Sequence, residues 1–113
     1  MMNENEKDEV SGGNVKRLNE LLQYQAGSVV SRVLLKNKGG TVTLFAFAEG
    51  EGLSEHTAPF DALVNVIEGD ADIDIASERF RVRPGEVITL PANRPHAVNA
   101  VSNFKMVLTM IRA

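Results

Sequence analysis

The chain has 113 residues, 43% of them hydrophobic and 24% charged, the proportions of one soluble domain with one core. A formal net charge of -3 leaves no basic face for nucleic acid, and the lack of cysteine excludes disulfides, thiolate metal ligands and a cysteine nucleophile. No apolar run reaches the ~20 residues of a membrane span, and the opening MMNENEKDEV is acidic and polar rather than a secretory signal. The expectation is a cytoplasmic protein without nucleic-acid or membrane partners.

Residues 1–13, rich in Asn, Glu, Lys and Gly, have almost nothing to bury and read as a mobile tail. Residues 14–113 read as one domain. It opens on a predicted short helix, Asn14 to Gln25, capped by Asn14, with Leu18, Leu21 and Leu22 at helical spacing and Gly27 ending it. Such a helix is too short to stand alone and must pack on the rest of the chain or on a partner.

From Ser28 onward the hydrophobic period becomes two. Val29 to Lys36, Thr41 to Ala48 and Asp61 to Ile67 read as strands with apolar residues on both faces, separated by the Lys38-Gly39-Gly40 turn and a charged loop from Glu49 to Glu55. Asp70 to Ala76 alternates cleanly, with Asp72 and Asp74 opposite Ala71, Ile73 and Ile75. Arg79, Arg81 and Arg83 alternate in turn with Phe80 and Val82, so arginines and aspartates can pair across a hairpin. Pro84-Gly85 is a tight turn, Glu86 to Leu90 and His96 to Ala100 are strands, and Asn103 to Ile111 closes the chain with Phe104, Met106, Leu108 and Met110 on one face. Many short strands at even spacing, joined by Gly and Pro turns, make an antiparallel barrel or sandwich.

Two stretches are punctuated alike. Gly50 to Gly69 (GEGLSEHTAPFDALVNVIEG) holds His56, and Gly85 to Asn99 (GEVITLPANRPHAVN) holds His96, the only two histidines. This pair resembles the two motifs of the cupin family, G-x5-H-x-H-x3,4-E-x6-G and G-x5-P-x-G-x2-H-x3-N. Gly50, His56 and Gly69 fall on the first, with Ala58 at the second histidine and Ala62 at the glutamate. Gly85, Pro91 and His96 fall on the second, with Asn93 at its glycine and Asn99 one place early.

The resemblance implies an all-β, double-stranded β-helix (jelly-roll-like) barrel from Gly39 to Ile111. It also implies that His56 and His96 meet inside that barrel, where members of the family hold Mn, Fe, Ni or Zn with three imidazoles and a carboxylate. Here the set is halved, so the expectation is a weakly held divalent ion on His56 and His96. Asp61 joins them only if a bulge near Pro59 turns it inward, and Glu55, beside His56 on the loop, is a weaker candidate. Ala58, Ala62, Met106 and Met110 are expected to line an apolar pocket at whose wall the imidazoles stand.

Three functions fit: a small-molecule binding protein, a metal-dependent enzyme of the oxygenase or isomerase type, or a structural barrel with a vestigial site. No catalytic residue is assigned, because the chain carries no nucleophile elbow, phosphate loop or His-Glu-x-x-His. The doubly apolar strands predict a homodimer, since an apolar outer face of that extent is unusual on a monomer.

Overall fold

A computed structural model describes residues 9–10 and 12–112 of the chain. Most of the tail expected over residues 1–13 lies outside the described residues. Nine strands follow one another among those described: β1 (Val29–Asn37), β2 (Gly40–Phe47), β3 (Gly52–His56), β4 (Asp61–Glu68), β5 (Ala71–Ile75), β6 (Glu78–Val82), β7 (Val87–Leu90), β8 (His96–Ala100) and β9 (Phe104–Ile111). They form a five-stranded sheet, ordered β1-β2-β9-β4-β7, and a four-stranded sheet, ordered β3-β8-β5-β6. After β2 every connection except the β5–β6 hairpin carries the chain from one sheet to the other, so the two sheets close into the expected jelly-roll-like barrel.

Register decides which residues face inward. In the larger sheet Phe47 opposes Phe104, Met106 opposes both Phe45 and Val66, and Ala62 opposes both Met110 and Leu90. In the smaller sheet Ile73 opposes both Phe80 and Val98. These rows meet in one core that includes Phe47, Val64, Val66, Ile73, Phe104 and Met106. A side chain on Gly69 would strike Asn103 O and Phe104, and its φ of 71° favours glycine, which is why the β4–β5 turn carries that residue.

The Asn14–Gln25 helix does not form. Only a three-residue 3₁₀ turn, Leu18–Glu20, is present, with no side-chain cap at Arg17. The reason lies in the backbone carbonyls. A helix would use Asn19 O and Leu21 O for its own i+4 bonds, but Lys105 Nζ donates to Asn19 O at 2.6 Å and Arg32 donates to Leu21 O at 3.2 Å. The segment therefore runs as a strap across the outer face of the larger sheet. Tyr24 fastens it further by donating to Glu68 Oε1 at 2.9 Å, under a Lys105 ammonium 5.0 Å from its ring centroid. Burial, helped by the bond to Glu68, pushes the Tyr24 hydroxyl well above the ordinary phenol range. On the same outer face Leu44 and Ala46 are fully buried within the single chain.

The charged loop expected from Glu49 to Glu55 is shorter than foreseen, because Gly52 to His56 forms β3. Gly52 allows that pairing, since a Cβ there would collide with Val98 O on β8. Across the β5–β6 hairpin Asp72 opposes Arg81 and Asp74 opposes Arg79, and each pair forms a two-pronged ion pair on the outer face. No helix among the described residues is long and apolar enough to cross a membrane.

Candidate functional site

One end of the barrel, its mouth, is built by the turns at residues 37–40, 57–60, 76–77 and 91–95 and by the end of β9. His56 closes β3 there and His96 opens β8, directly opposite it in the ladder. A bulge sets their meeting. Between Leu53 and His56 the β3 strand advances three residues while β8 advances two, from Val98 to His96. Without that extra residue His56 would face away from the core. The bulge considered near Pro59, which would have turned Asp61 inward, is a different one: β4 runs in regular register from Asp61 to Val66.

The rings stand edge to face, 4.4 Å between centroids at 72°, with the two Nε2 atoms 3.1 Å apart. Each Nδ1 contacts a backbone carbonyl two residues earlier: His56 to Ser54 O at 2.7 Å, His96 to Arg94 O at 3.2 Å. A carbonyl oxygen can only accept, so each Nδ1 carries the ring proton and donates. In the neutral pair both Nε2 atoms then present lone pairs to one another at hydrogen-bond distance with no hydrogen between them. A proton on one ring, giving an N–H···N hydrogen bond, or a metal ion between the two nitrogens satisfies both. His96 is buried and His56 exposed. Burial first, and then the neighbouring His56, hold the His96 pKa below the ordinary imidazole value, against the upward pull of the Arg94 carbonyl.

The donors fit a divalent ion at two positions. Two nitrogens 3.1 Å apart, each at the ~2.0–2.1 Å typical of a zinc–imidazole bond, subtend roughly 100°, between tetrahedral and octahedral values. An Nδ1–H held on a carbonyl is also the usual way a ligating imidazole is oriented. Among the described residues no group of three or more His, Cys, Asp or Glu side chains is placed to hold an ion. Among the described residues the side-chain donors at this point are the two imidazoles.

The other expected site residues are distributed as follows. Asp61 opens β4 opposite Ile111, with its carboxylate accepting the Ala92 N–H at 2.8 Å, and serves the loop rather than the imidazole pair. Glu55 is exposed. Ala58 accepts the Asn93 N–H at 2.7 Å through its carbonyl, tying the two mouth loops together. Ala62 and Met106 are packed into the core, while Met110 reaches a groove of about 280 Å³ shared with Leu35, Val42, Thr109 and Ile111. The residues missed from sequence are Ser54 and Arg94, which act through their carbonyls. Their one sequence signal is the equal spacing, two residues before each histidine.

Residues 43–112 match the family described as Cupin domain. A conserved Streptococcus pyogenes protein of unknown function superposes with a TM-score of 0.87 at 31% identity, covering 92% of this chain and 91% of that one. A cupin superfamily protein from Desulfitobacterium hafniense gives 0.86 at 26% identity, over 92% and 95% of the two chains. A Cupin 2 conserved barrel domain protein from Leptotrichia buccalis gives 0.80 at 40% identity, over 83% of this chain and 46% of that one. No curated protein matches. With two motif turns delivering one imidazole each to the same mouth of a jelly-roll-like barrel, and with the family matched over most of its strands, the chain belongs to the cupin-domain family.

Proposed function

We propose that this cytoplasmic cupin binds a small molecule at the barrel mouth, through a divalent transition ion (Zn, Mn, Fe or Ni) held loosely between His56 and His96. The observation that supports this reading is the pair of Nε2 atoms 3.1 Å apart, with each Nδ1 held against a backbone carbonyl. Two imidazoles hold an ion less firmly than four ligands, and they leave positions open for a ligand. The full chain, purified without a metal-affinity tag and titrated calorimetrically with Zn²⁺, should take up about one ion, removable by dialysis against a chelator. His56→Ala and His96→Ala should each abolish that uptake. Uptake unchanged in both variants refutes the reading.

The homodimer stays part of this proposal on narrower ground than sequence offered. The strap already covers one part of the outer face. Toward the mouth, Leu35, Val42, Thr109 and Leu63 form one continuous row across β1, β2, β9 and β4. Leu35 is 55% exposed, Leu63 39%, and Ile111 at the end of β9 60%. Burying that row against a second copy accounts for its apolar character. Sedimentation should give twice the 12.3 kDa chain mass, and Leu63→Glu should return it to one.

A further inference from the structure

A groove of about 360 Å³ runs between the strap and β1, and neither imidazole lines it. One wall comes from an irregularity in β1. Between Val33 and Leu35 that strand advances two residues while β2 advances one, from Thr43 to Val42. The bulge brings two consecutive leucines, Leu34 and Leu35, to the same groove. The other wall is Leu18 and Leu21 of the strap, held in place because Arg32 donates to Leu21 O at 3.2 Å. Val10 adds a fifth apolar side chain, its N–H donating to Leu34 O at 3.0 Å.

These side chains are not sealed from water: Leu18 is 37% exposed and Leu35 55%. Apolar surface gathered in one concavity marks a binding groove, where scattered single leucines would not. Its polar lining is confined to Asn14 and Lys16, so the one charge that lines it is positive. Glu9, Arg17, Glu20 and Lys36 adjoin the groove along the chain without lining it, and their charges cancel in pairs. Arg32 is engaged with the strap. Lys16 therefore sets the sign. Apolar walls with one exposed cation complement a molecule with an apolar body and a single anionic head.

We infer that this groove is a binding site separate from the barrel mouth, for a free aliphatic monocarboxylate whose tail lies between the leucines and whose carboxylate meets Lys16. Size limits the tail. A group the size of a water takes about 30 Å³, so the groove admits an unbranched chain of on the order of ten carbons.

The test titrates the full chain with butanoate, octanoate and octylammonium, reading affinities and leucine methyl signals by NMR. Octanoate should bind at least about tenfold more tightly than butanoate, since four methylenes, even half-buried, tighten binding by about twofold each. It should bind about two- to fivefold more tightly than octylammonium, the scale of one exposed ion pair, and Lys16→Glu should reverse that order. Lys16 is exposed, so the exchange leaves the fold standing. The methyls that shift should be those of Leu18, Leu21, Leu34 and Leu35. Equal affinities for butanoate and octanoate, shifts confined to other leucines, or an order that Lys16→Glu leaves unchanged each overturn the inference. So does octanoate binding seen only in Leu63→Glu, which would make a second copy of the chain the occupant. None of these results bears on ion uptake at the mouth.

Discussion

The two ends of this barrel are made of different matter. At the closed end Phe47 and Phe104 stack at 4.5 Å and 8°, both fully buried, and the strap is tied down nearby through Lys105, Tyr24 and Glu68. At the mouth stand two imidazoles, Ala58 and two proline-containing loops joined by the Asn93 N–H to Ala58 O hydrogen bond. Large rigid apolar groups give stability, and converging lone pairs give a place to bind. The barrel keeps them apart along its axis, so residues at the mouth can change without costing the fold its core.

That separation is sharpened by the largest expected effect. Phe104→Ala removes one half of the aromatic stack and should cost about 3–5 kcal/mol in a urea unfolding experiment, while leaving any folded molecules able to take up Zn²⁺. His96→Ala should do the reverse: about 1–2 kcal/mol of stability, the scale of one buried hydrogen-bonding group, with ion uptake gone. Equal destabilisation by the two changes would break the comparison, because the mouth would then be part of the supporting core.

A smaller effect separates the closed end's own two parts. Lys105 is buried although charged; it donates to Asn19 O and lies 3.7 Å from the Glu68 carboxylate. Lys105→Met keeps the apolar stem but removes the donor, leaving Asn19 O without that bond. The expected cost is about 1–3 kcal/mol, with faster proteolysis between residues 12 and 27 and an intact barrel. A cleavage pattern identical to that of the parent chain would mean that the strap is held by its leucines rather than by its polar ties.

How much of this was legible depended on whether a feature was written in local pattern or in pairing. Alternation in Asp70–Ala76 and in residues 79–83 revealed strands, faces and the arginine–aspartate partners, because period-two spacing maps directly onto a sheet. The two histidines were legible as a pair because their turns are punctuated alike. The strap was not. Leu18, Leu21 and Leu22 satisfy a helical pattern, but Lys105 and Arg32, far along the chain, take the carbonyls that a helix needs. Nor was the bulge after Leu53, which depends on the register of β3 against β8. The roles of Ser54 and Arg94 were hidden for a third reason: a backbone carbonyl is the same in every residue, so no side chain announces it.

The smallest effect concerns the outer ladder, which belongs to neither end. Arg79 donates two hydrogen bonds to Asp74 and holds its carboxyl below the ordinary value of 3.8, outweighing the slight burial that pushes the other way. A carboxyl whose folded pKa is depressed binds fewer protons folded than unfolded in the interval between the two values. Its contribution is therefore complete above about pH 4 and fades as pH falls through the folded pKa. Asp74→Asn should remove that contribution at neutral pH, so the stability gap between parent and variant should be constant from pH 7 down to about pH 4 and shrink below it. The gap itself should be small, since Arg79 is mostly exposed and water and salt screen such pairs. High salt should narrow it further. A gap that persists unchanged at pH 2 would show that Asp74 supports the hairpin through its packing or its neutral hydrogen bonds, and the ladder would then count as part of the barrel's structural frame rather than as its solvated skin.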